Sequence, residues 1–323
     1  MKIIFFGTPL FASKVLRYLI NQEHEVVAIV CPPDSKKGRG KKIKACAVKK
    51  VGLEQNIAVL QPNKLRDDAF INILKEHNAD IFVVVAFRML PQVIWEIPSN
   101  GTINLHTSLL PEYRGAAPIN WVLINGEKET GVTTFLINNE IDAGEIILQE
   151  KVTLLKTTTA GQLHNILINK GSSLLEKTLS LINNSKFKTI KQDPSSFKGA
   201  PKLFKALLKI NWEKSAKEIH NLVRGLSPFL DKETMLKDIA ICPSAYFFVE
   251  DDTLNIKRIK VHLTEVIKSN SSNFLEIKTD NKSYLRIVTI ENEISIKQLQ
   301  LEGKKPMTIQ QFLHGNKIKK IIL

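Results

Sequence analysis

Residues 81–86 read Ile81-Phe82-Val83-Val84-Val85-Ala86, apolar at every position. A strand with one face in water alternates apolar and polar residues. An unbroken apolar run instead fits a strand covered on both faces, as in the middle of a parallel sheet. Working outward, the flanking segments alternate in character. Lys2–Phe6 is β-branched and aromatic and ends in Gly7-Thr8-Pro9, which predicts a buried first strand and a tight turn. Pro9 suits the first turn of a helix that carries Phe11, Val15, Leu16 and Leu19 on one face. Glu25–Cys31 predicts a second strand, stopped by Pro32-Pro33, and a long polar loop follows from Asp34 to about Lys44. Helical spacing resumes through Val48, Val51 and Leu53. A short strand at Ala58–Leu60 and a helix over Arg66–His77 then lead back to the central run. Further strands are predicted at Gly101–His106, Thr130–Ile137 and Glu145–Leu154. Thr157–Thr159 can cap a helix that turns Leu163, Ile166, Leu167, Leu174, Leu175 and Leu179 inward. Strands alternating with helices predict an α/β unit with a Rossmann-like, mainly parallel sheet. Ligands of such sheets sit at the carboxyl ends of the strands, here the ends of 81–86 and 101–106.

After Asn183 the texture changes. Residues 184–206 are rich in Ser, Lys and Pro and have little periodicity. Beyond a short helix at Ser215–Val223 come short alternating segments at Ala245–Val249, Asn255–Val261, Phe274–Thr279, Tyr284–Ile290 and Ile294–Leu301, a spacing that predicts a small OB-like β-barrel. The expected division is a catalytic α/β domain over 1–189, a basic linker over 190–206 and a C-terminal barrel over 207–323, consistent with two domains in 323 residues.

The net charge is +14, unevenly spread: residues 1–50 carry +8, residues 51–150 carry −7 and residues 151–323 carry +13. Basic surface of this kind attracts polyanions, although many lysines also serve only to keep a protein in solution. The loop region 34–50 alone carries +7, and Gly38 and Gly40 bracket Arg39 so that the backbone can approach a ligand closely. Cys31, Cys46 and Cys242 are far apart and form no CxxC pair, so neither a disulfide framework nor a metal site is expected. The opening Met-Lys-Ile-Ile-Phe-Phe-Gly lacks the long apolar core of a signal peptide, and no apolar run approaches the roughly 20 residues of a membrane span. A cytoplasmic monomer is expected.

Residues 104–118 read Asn-Leu-His-Thr-Ser-Leu-Leu-Pro-Glu-Tyr-Arg-Gly-Ala-Ala-Pro. Asn104 and His106, two apart on a predicted strand, share a face at its end. Asp142 follows in Asn-Asn-Glu-Ile-Asp-Ala-Gly, a turn between strands. The three residue types suit transfer from an amide-like donor to an amine. Asn104 can donate a hydrogen bond to the oxygen that turns negative in the tetrahedral intermediate. His106 can donate as well or pass a proton to the leaving nitrogen, and Asp142 can orient and charge-stabilise the imidazole. His106 and Asp142 also have plainer readings: a satisfied structural histidine, and an aspartate serving its turn.

The ordered run Asn104-Leu-His106, Ser108-Leu-Leu-Pro111 and Arg114-Gly-Ala-Ala-Pro118, with Asp142 downstream, resembles the signature of the folate-dependent formyltransferases. The resemblance implies catalytic roles for Asn104, His106 and Asp142, and 10-formyltetrahydrofolate as co-substrate without a metal. It also implies that Ser108, Leu109, Leu110 and Pro111 contact the folate. The strand and loop from Val83 to Leu90, including Phe87 and Leu90, would line the pterin pocket largely through backbone groups. Relatives formylate glycinamide ribonucleotide or nucleotide-linked amino sugars, or hydrolyse the formyl-folate. Gly7-Thr-Pro-Leu-Phe-Ala12, Gln61-Pro62, the basic loop with Gly38-Arg-Gly-Lys-Lys42, and Leu299-Gln-Leu-Glu-Gly-Lys-Lys-Pro-Met307 through Phe312-Leu-His-Gly315 resemble the members that act on initiator methionyl-tRNA. That likeness implies that Lys37, Arg39, Lys41 and Lys42 meet the tRNA acceptor arm. The sequence departs from the family after Arg224-Gly-Leu-Ser-Pro228, where Phe229–Met235 replaces a Pro-Gly-Ala-aromatic turn. It departs again at Phe87-Arg-Met-Leu90, where no side-chain role is assigned to Arg88. The alternatives are formylation of a sugar or ribonucleotide amine, or a tRNA-binding module with a degenerate α/β domain. Gly7-Thr8-Pro9 does not give the GxGxxG fingerprint of a nicotinamide dehydrogenase.

Overall fold

In the computed structural model the chain runs through β1 (Lys2–Gly7), α1 (Leu10–Ile20), β2 (Glu25–Val30), β3 (Ser35–Lys37), β4 (Lys42–Lys44), α2 (Ala47–Glu54), β5 (Ala58–Leu60), α3 (Asp68–Glu76), β6 (Ile81–Val85), α4 (Gln92–Trp95), β7 (Thr102–His106), β8 (Glu112–Arg114), α5 (Pro118–Ile124), β9 (Glu129–Leu136), β10 (Ile146–Thr153) and α6 (Ala160–Asn183). The described residues are 1–37, 42–193, 195, 197–236, 241–269, 271 and 273–322, without the side chains of 36, 37, 42 and 43. By contacts the chain divides into two compact units. One comprises Met1–Gly115, Thr130–Val152 and Asn165–Ala200; the other comprises Ala116–Glu129, Thr153–His164 and Pro201–Leu323.

The apolar run at 81–85 is the middle strand of the first unit's sheet, whose order is β10-β9-β7-β6-β1-β2-β5. Strands β5, β2, β1, β6 and β7 are parallel, and β9 joins β7 antiparallel. All five residues of β6 are buried. On one face Phe82 and Val84 pack with Ile4, Phe6, Ala28 and Val30 against Phe70 and Leu74 of α3 and Ile94 of α4. Helix α1 buries Phe11, Val15, Leu16 and Leu19 and lies against α2, β1, β2 and β6. Each such side chain contributes about 1.5–3 kcal/mol by leaving water. Thr159 caps α6, with its hydroxyl accepting from the N–H of Gln162 at 3.1 Å. One position expected inward is not: Ile166 is 39% exposed, and Leu53 of α2, 60% exposed, lies away from the buried Val48 and Val51. The expected polar loop contains an antiparallel pair, β3 with β4, in which Lys37 stands opposite Lys42. Arg39 and Lys41 lie outside the described residues.

The first unit ends with β11 (Lys198–Gly199), and the second unit continues through a 3-10 turn at Lys205–Leu208, α7 (Ala216–Leu226), β12 (Ala245–Asp251), β13 (Ile256–Ile267), β14 (Ile277–Thr279), β15 (Leu285–Val288), β16 (Glu293–Leu301), β17 (Met307–Thr308), α8 (Ile309–Leu313) and β18 (Ile318–Ile322). The strands form an antiparallel, nearly closed barrel in the order β14-β15-β16-β13-β12-β18, with β17 on β16. Its core gathers Trp212, Phe247, Val261, Ile287, Ile296 and Leu299 with Ile219, Val223 and Leu226 of α7. A reciprocal capping box between Ser215 and Glu218 starts α7. Asn120 of α5 is buried and donates to the carbonyls of Gly225 and Ile241, each at 2.8 Å. The atypical stretch 229–235 is a closed turn. Phe229 bridges Met235, and Asp231 accepts from the N–H groups of Glu233 and Thr234 at 2.7 Å each.

Candidate active site

Strand β7 carries Asn104 and His106 out of the sheet's carboxyl edge. In the ladder Asn104 stands between Val84 of β6 and Phe135 of β9, and His106 stands opposite Thr133. His106 is buried at 7% exposure. Its Nε2 lies 2.9 Å from the carbonyl oxygen of Tyr113. A carbonyl only accepts, so Nε2 carries a proton and donates it, which leaves Nδ1 as the exchangeable nitrogen. Nδ1 faces the Asp142 carboxylate at 3.8 Å. That is beyond hydrogen-bond reach but close enough for charge to act. The Asp142 Oδ2 is held instead by the backbone N–H of Gly115 at 2.9 Å. The side chain of Asn104 is half-buried and makes no hydrogen bond among the described residues.

The loop between β7 and β8 is pinned. The Thr133 hydroxyl donates to the Ser108 carbonyl at 2.7 Å and accepts from the Leu110 N–H at 3.2 Å. Gln149 donates to the Leu110 carbonyl at 2.8 Å and to the Thr133 hydroxyl at 2.9 Å. Ser108 is fully buried, and its own hydroxyl donates to the Glu112 carbonyl at 2.6 Å. Leu110 is buried, while Leu109 and Pro111 are half-buried. Tyr113, Gly115 and Asp142 have φ of +60°, +119° and +52°. Left-handed backbone at Tyr113 and Asp142 costs of order 1–3 kcal/mol each and persists only where surroundings enforce it. Here it turns the Tyr113 carbonyl onto His106 and the Asp142 carboxylate onto Gly115.

The loop after β6 is different. The backbone N–H and C=O groups of Phe87–Leu90 make no hydrogen bond among the described residues. Phe87 is half-buried, edge-on to Phe6 at 5.7 Å, and Leu90 is buried in the core below. Arg88 is exposed and donates to the Pro62 carbonyl at 3.0 Å. A separate open cleft of about 620 Å³, lined by residues including Asn78, Asp80, Glu96 and Ser99, lies before β6 and β7, at the opposite edge from His106.

Sequence reasoning missed Tyr113, Gly115, Thr133, Gln149 and Gln192 as parts of the site. All five act through backbone groups or hydrogen bonds to backbone, which leave no residue-type pattern; of the five, Gly115, inside a Gly-Ala-Ala-Pro turn, alone carried a signal. Among the described residues no cluster of His, Cys, Asp and Glu could hold a metal ion, and no helix is long and apolar enough to cross a membrane.

An α/β sheet with an Asn–His–Asp group at its carboxyl edge offers the hydrogen-bond donor, proton carrier and carboxylate that group transfer can use. The chain belongs to the formyl transferase family: residues 1–179 match the formyl transferase model, and residues 202–317 match the formyl transferase C-terminal domain. It is 43% identical to a methionyl-tRNA formyltransferase of Flavobacterium johnsoniae over 98% of this chain and 96% of that one. With a methionyl-tRNA formyltransferase of Clostridioides difficile it shares 41% identity over 98% of both. Among solved structures it is similar in fold to WlaRD, a sugar 3N-formyl transferase solved in the presence of dTDP and 5-N-formyl-THF. The TM-score is 0.63 at 23% identity, covering 94% of this chain and 99% of that one.

Proposed function

We propose that this chain transfers the formyl group of 10-formyltetrahydrofolate to the free amino group of initiator methionyl-tRNA, giving the formylated tRNA for translation initiation. The chemistry rests on one observation above all: the uncommitted Asn104 amide, two residues from a histidine whose tautomer is fixed. The acceptor rests on relatives of that name that match 98% of the chain.

The residues fit a folate co-substrate. The free backbone donors and acceptors of Phe87–Leu90 suit the amide and amine edge of a pterin, and Phe87 and Leu90 offer apolar surface beside it. The pinned Ser108–Pro111 loop would bound the same pocket through backbone and aliphatic surface, since the Ser108 hydroxyl is already used. Asn104 donates to the formyl oxygen as the amine adds to the formyl carbon and charge builds there; one such donor is typically worth about 10²–10³ in rate. His106 exchanges a proton at Nδ1, taking it from the incoming amine and returning it to the leaving nitrogen. Asp142 stabilises the charged imidazole across 3.8 Å without drawing its proton away. The acceptor needs little activation, because a free α-amino group has a reference pKa of about 7.7–8.0.

Lys37, Arg39, Lys41 and Lys42 would pair with phosphates of the acceptor arm, with the barrel over 207–323 as a second tRNA-facing surface joined by the basic linker 190–206 to the domain over 1–189. The enzyme works in the cytoplasm as a monomer. The test is incubation with charged initiator tRNA and formyl-folate. Tetrahydrofolate release that depends on the tRNA is expected; release with a nucleotide-linked amino sugar but not with tRNA would sink the proposal.

A further inference from the structure

We infer that Gln192 is a positioning residue for the transfer, acting by holding the Asp142 turn against Gly115; this rests on the role proposed above for Asp142. Gln192 lies in the polar stretch after α6, where no periodicity marks it. A glutamine amide has two N–H donors and an oxygen with two lone pairs, and here all four are engaged. Nε2 donates to the carbonyls of Asp142 at 2.9 Å and Gly144 at 2.7 Å. Oε1 accepts from Nε of Arg114 at 3.0 Å and from its Nη2 at 2.6 Å.

Arg114 directly precedes Gly115, whose N–H holds the Asp142 carboxylate. One side-chain amide therefore ties down both partners of that hydrogen bond. The guanidinium on Oε1 polarises the amide and strengthens its two donations. The turn needs such a tie. Asp142 is held at φ +52°, and Gly144 presses on the Leu136 carbonyl so closely that a Cβ would lie 1.6 Å from its oxygen. The segment bearing Gln192 is itself kept in place: β11 pairs with β8, Lys198 bridges Glu112 at 3.2 Å, and Phe197 lies under Arg114 at 5.7 Å. The two nearest side chains do not substitute. Asparagine is one methylene too short, and glutamate keeps the Arg114 contact but turns only acceptors toward two carbonyls.

The experiment is a double-mutant cycle. Gln192→Ala and Gln192→Glu are each made in the wild-type and the Asp142→Ala backgrounds, and kcat and KM are measured with formyl-folate and charged initiator tRNA. In the wild-type background each substitution should lower kcat about 10- to 100-fold, the scale of a mispositioned catalytic group. Both KM values should stay within about threefold and the circular dichroism should be unchanged. In the Asp142→Ala background the same substitutions should cost less than about twofold, because the group they position is gone. An equal cost in both backgrounds, or a rise in KM alone, overturns the inference. The isosteric Gln192→Glu carries the cycle if the alanine variant does not fold. The ¹⁵N resonances of the His106 imidazole give a readout independent of the acceptor. They should shift in both Gln192 variants, and unshifted resonances count against the inference even if methionyl-tRNA proves not to be the substrate.

Discussion

His106 and His262 are both buried, one in each unit, at 7% and 1% exposure. Their surroundings differ. His106 stands between two acceptors, the Tyr113 carbonyl at 2.9 Å and the Asp142 carboxylate at 3.8 Å, at the carboxyl edge of a parallel sheet. His262, on β13 of the barrel, meets the Ser244 hydroxyl at 3.2 Å and the ring of Phe229 at 5.2 Å. Burial pushes the His262 imidazole down to about 4; the Gln300 side chain opposes this and the Lys260 charge adds to it. Burial alone does not make a histidine chemical. What separates the two is a carboxylate and a fixed tautomer on one side, and a hydroxyl and an aromatic ring on the other.

The largest effect expected from this contrast is on turnover. His106→Ala should lower kcat about 10²–10⁴-fold, the range for a general acid–base group, while tRNA still binds. His262→Phe should leave kcat within about threefold; comparable losses in the two variants would erase the distinction. Asn104→Ala comes next, at about 10²–10³ in kcat, or roughly 3–4 kcal/mol of transition-state stabilisation, with KM for formyl-folate little changed. Loss of the far-ultraviolet circular dichroism signal would instead favour a structural Asn104.

The barrel histidine should show itself in stability. The folded value of about 4 lies below the reference of about 6.5, so the unfolded chain binds the proton more tightly. The stability tied to a neutral His262 is complete above pH ~6.5 and is lost as pH falls toward 4, by roughly 3 kcal/mol. Urea midpoints measured from pH 7 to pH 4 should fall, and His262→Phe should flatten that decline. An equally steep decline in the variant would show that another group carries it. Smaller effects lie outside both histidines. Arg39→Ala should raise KM for charged tRNA and reduce the salt slope of tRNA binding by about one, leaving KM for folate alone. Arg88→Ala removes an exposed contact to the Pro62 carbonyl and should change stability by less than about 1 kcal/mol.

The sheet was legible because burial on both faces leaves an unbroken apolar run, as in 81–85, and because helices between strands dictate parallel pairing. The barrel strands were legible from alternation, as in β12, whose residues are buried and half-buried by turns. Short elements were not. Strand β8 has three residues and helix α5 seven, too few for a period to register, and β11 is fixed by pairing with β8 rather than by its own Lys-Gly sequence. In the proposed site, Asn104, His106 and Asp142 could be named as candidates by residue type and motif. Their relative geometry could not, because it depends on the Tyr113 carbonyl, the Gly115 N–H and the side chain of Gln192, whose sequence neighbourhood reads as a bare linker.

The central claim is that Asn104, His106 and Asp142 move a formyl group onto the amine of initiator methionyl-tRNA. The most direct measurement is formyl transfer from 10-formyltetrahydrofolate to charged initiator and elongator tRNAs side by side, with wild-type protein and with Asn104→Ala. Wild-type protein should formylate the initiator tRNA and the variant should do so at least about 100-fold more slowly. Equal rates for the two proteins, or formyl transfer to an amino-sugar nucleotide with none to the initiator tRNA, would contradict the account.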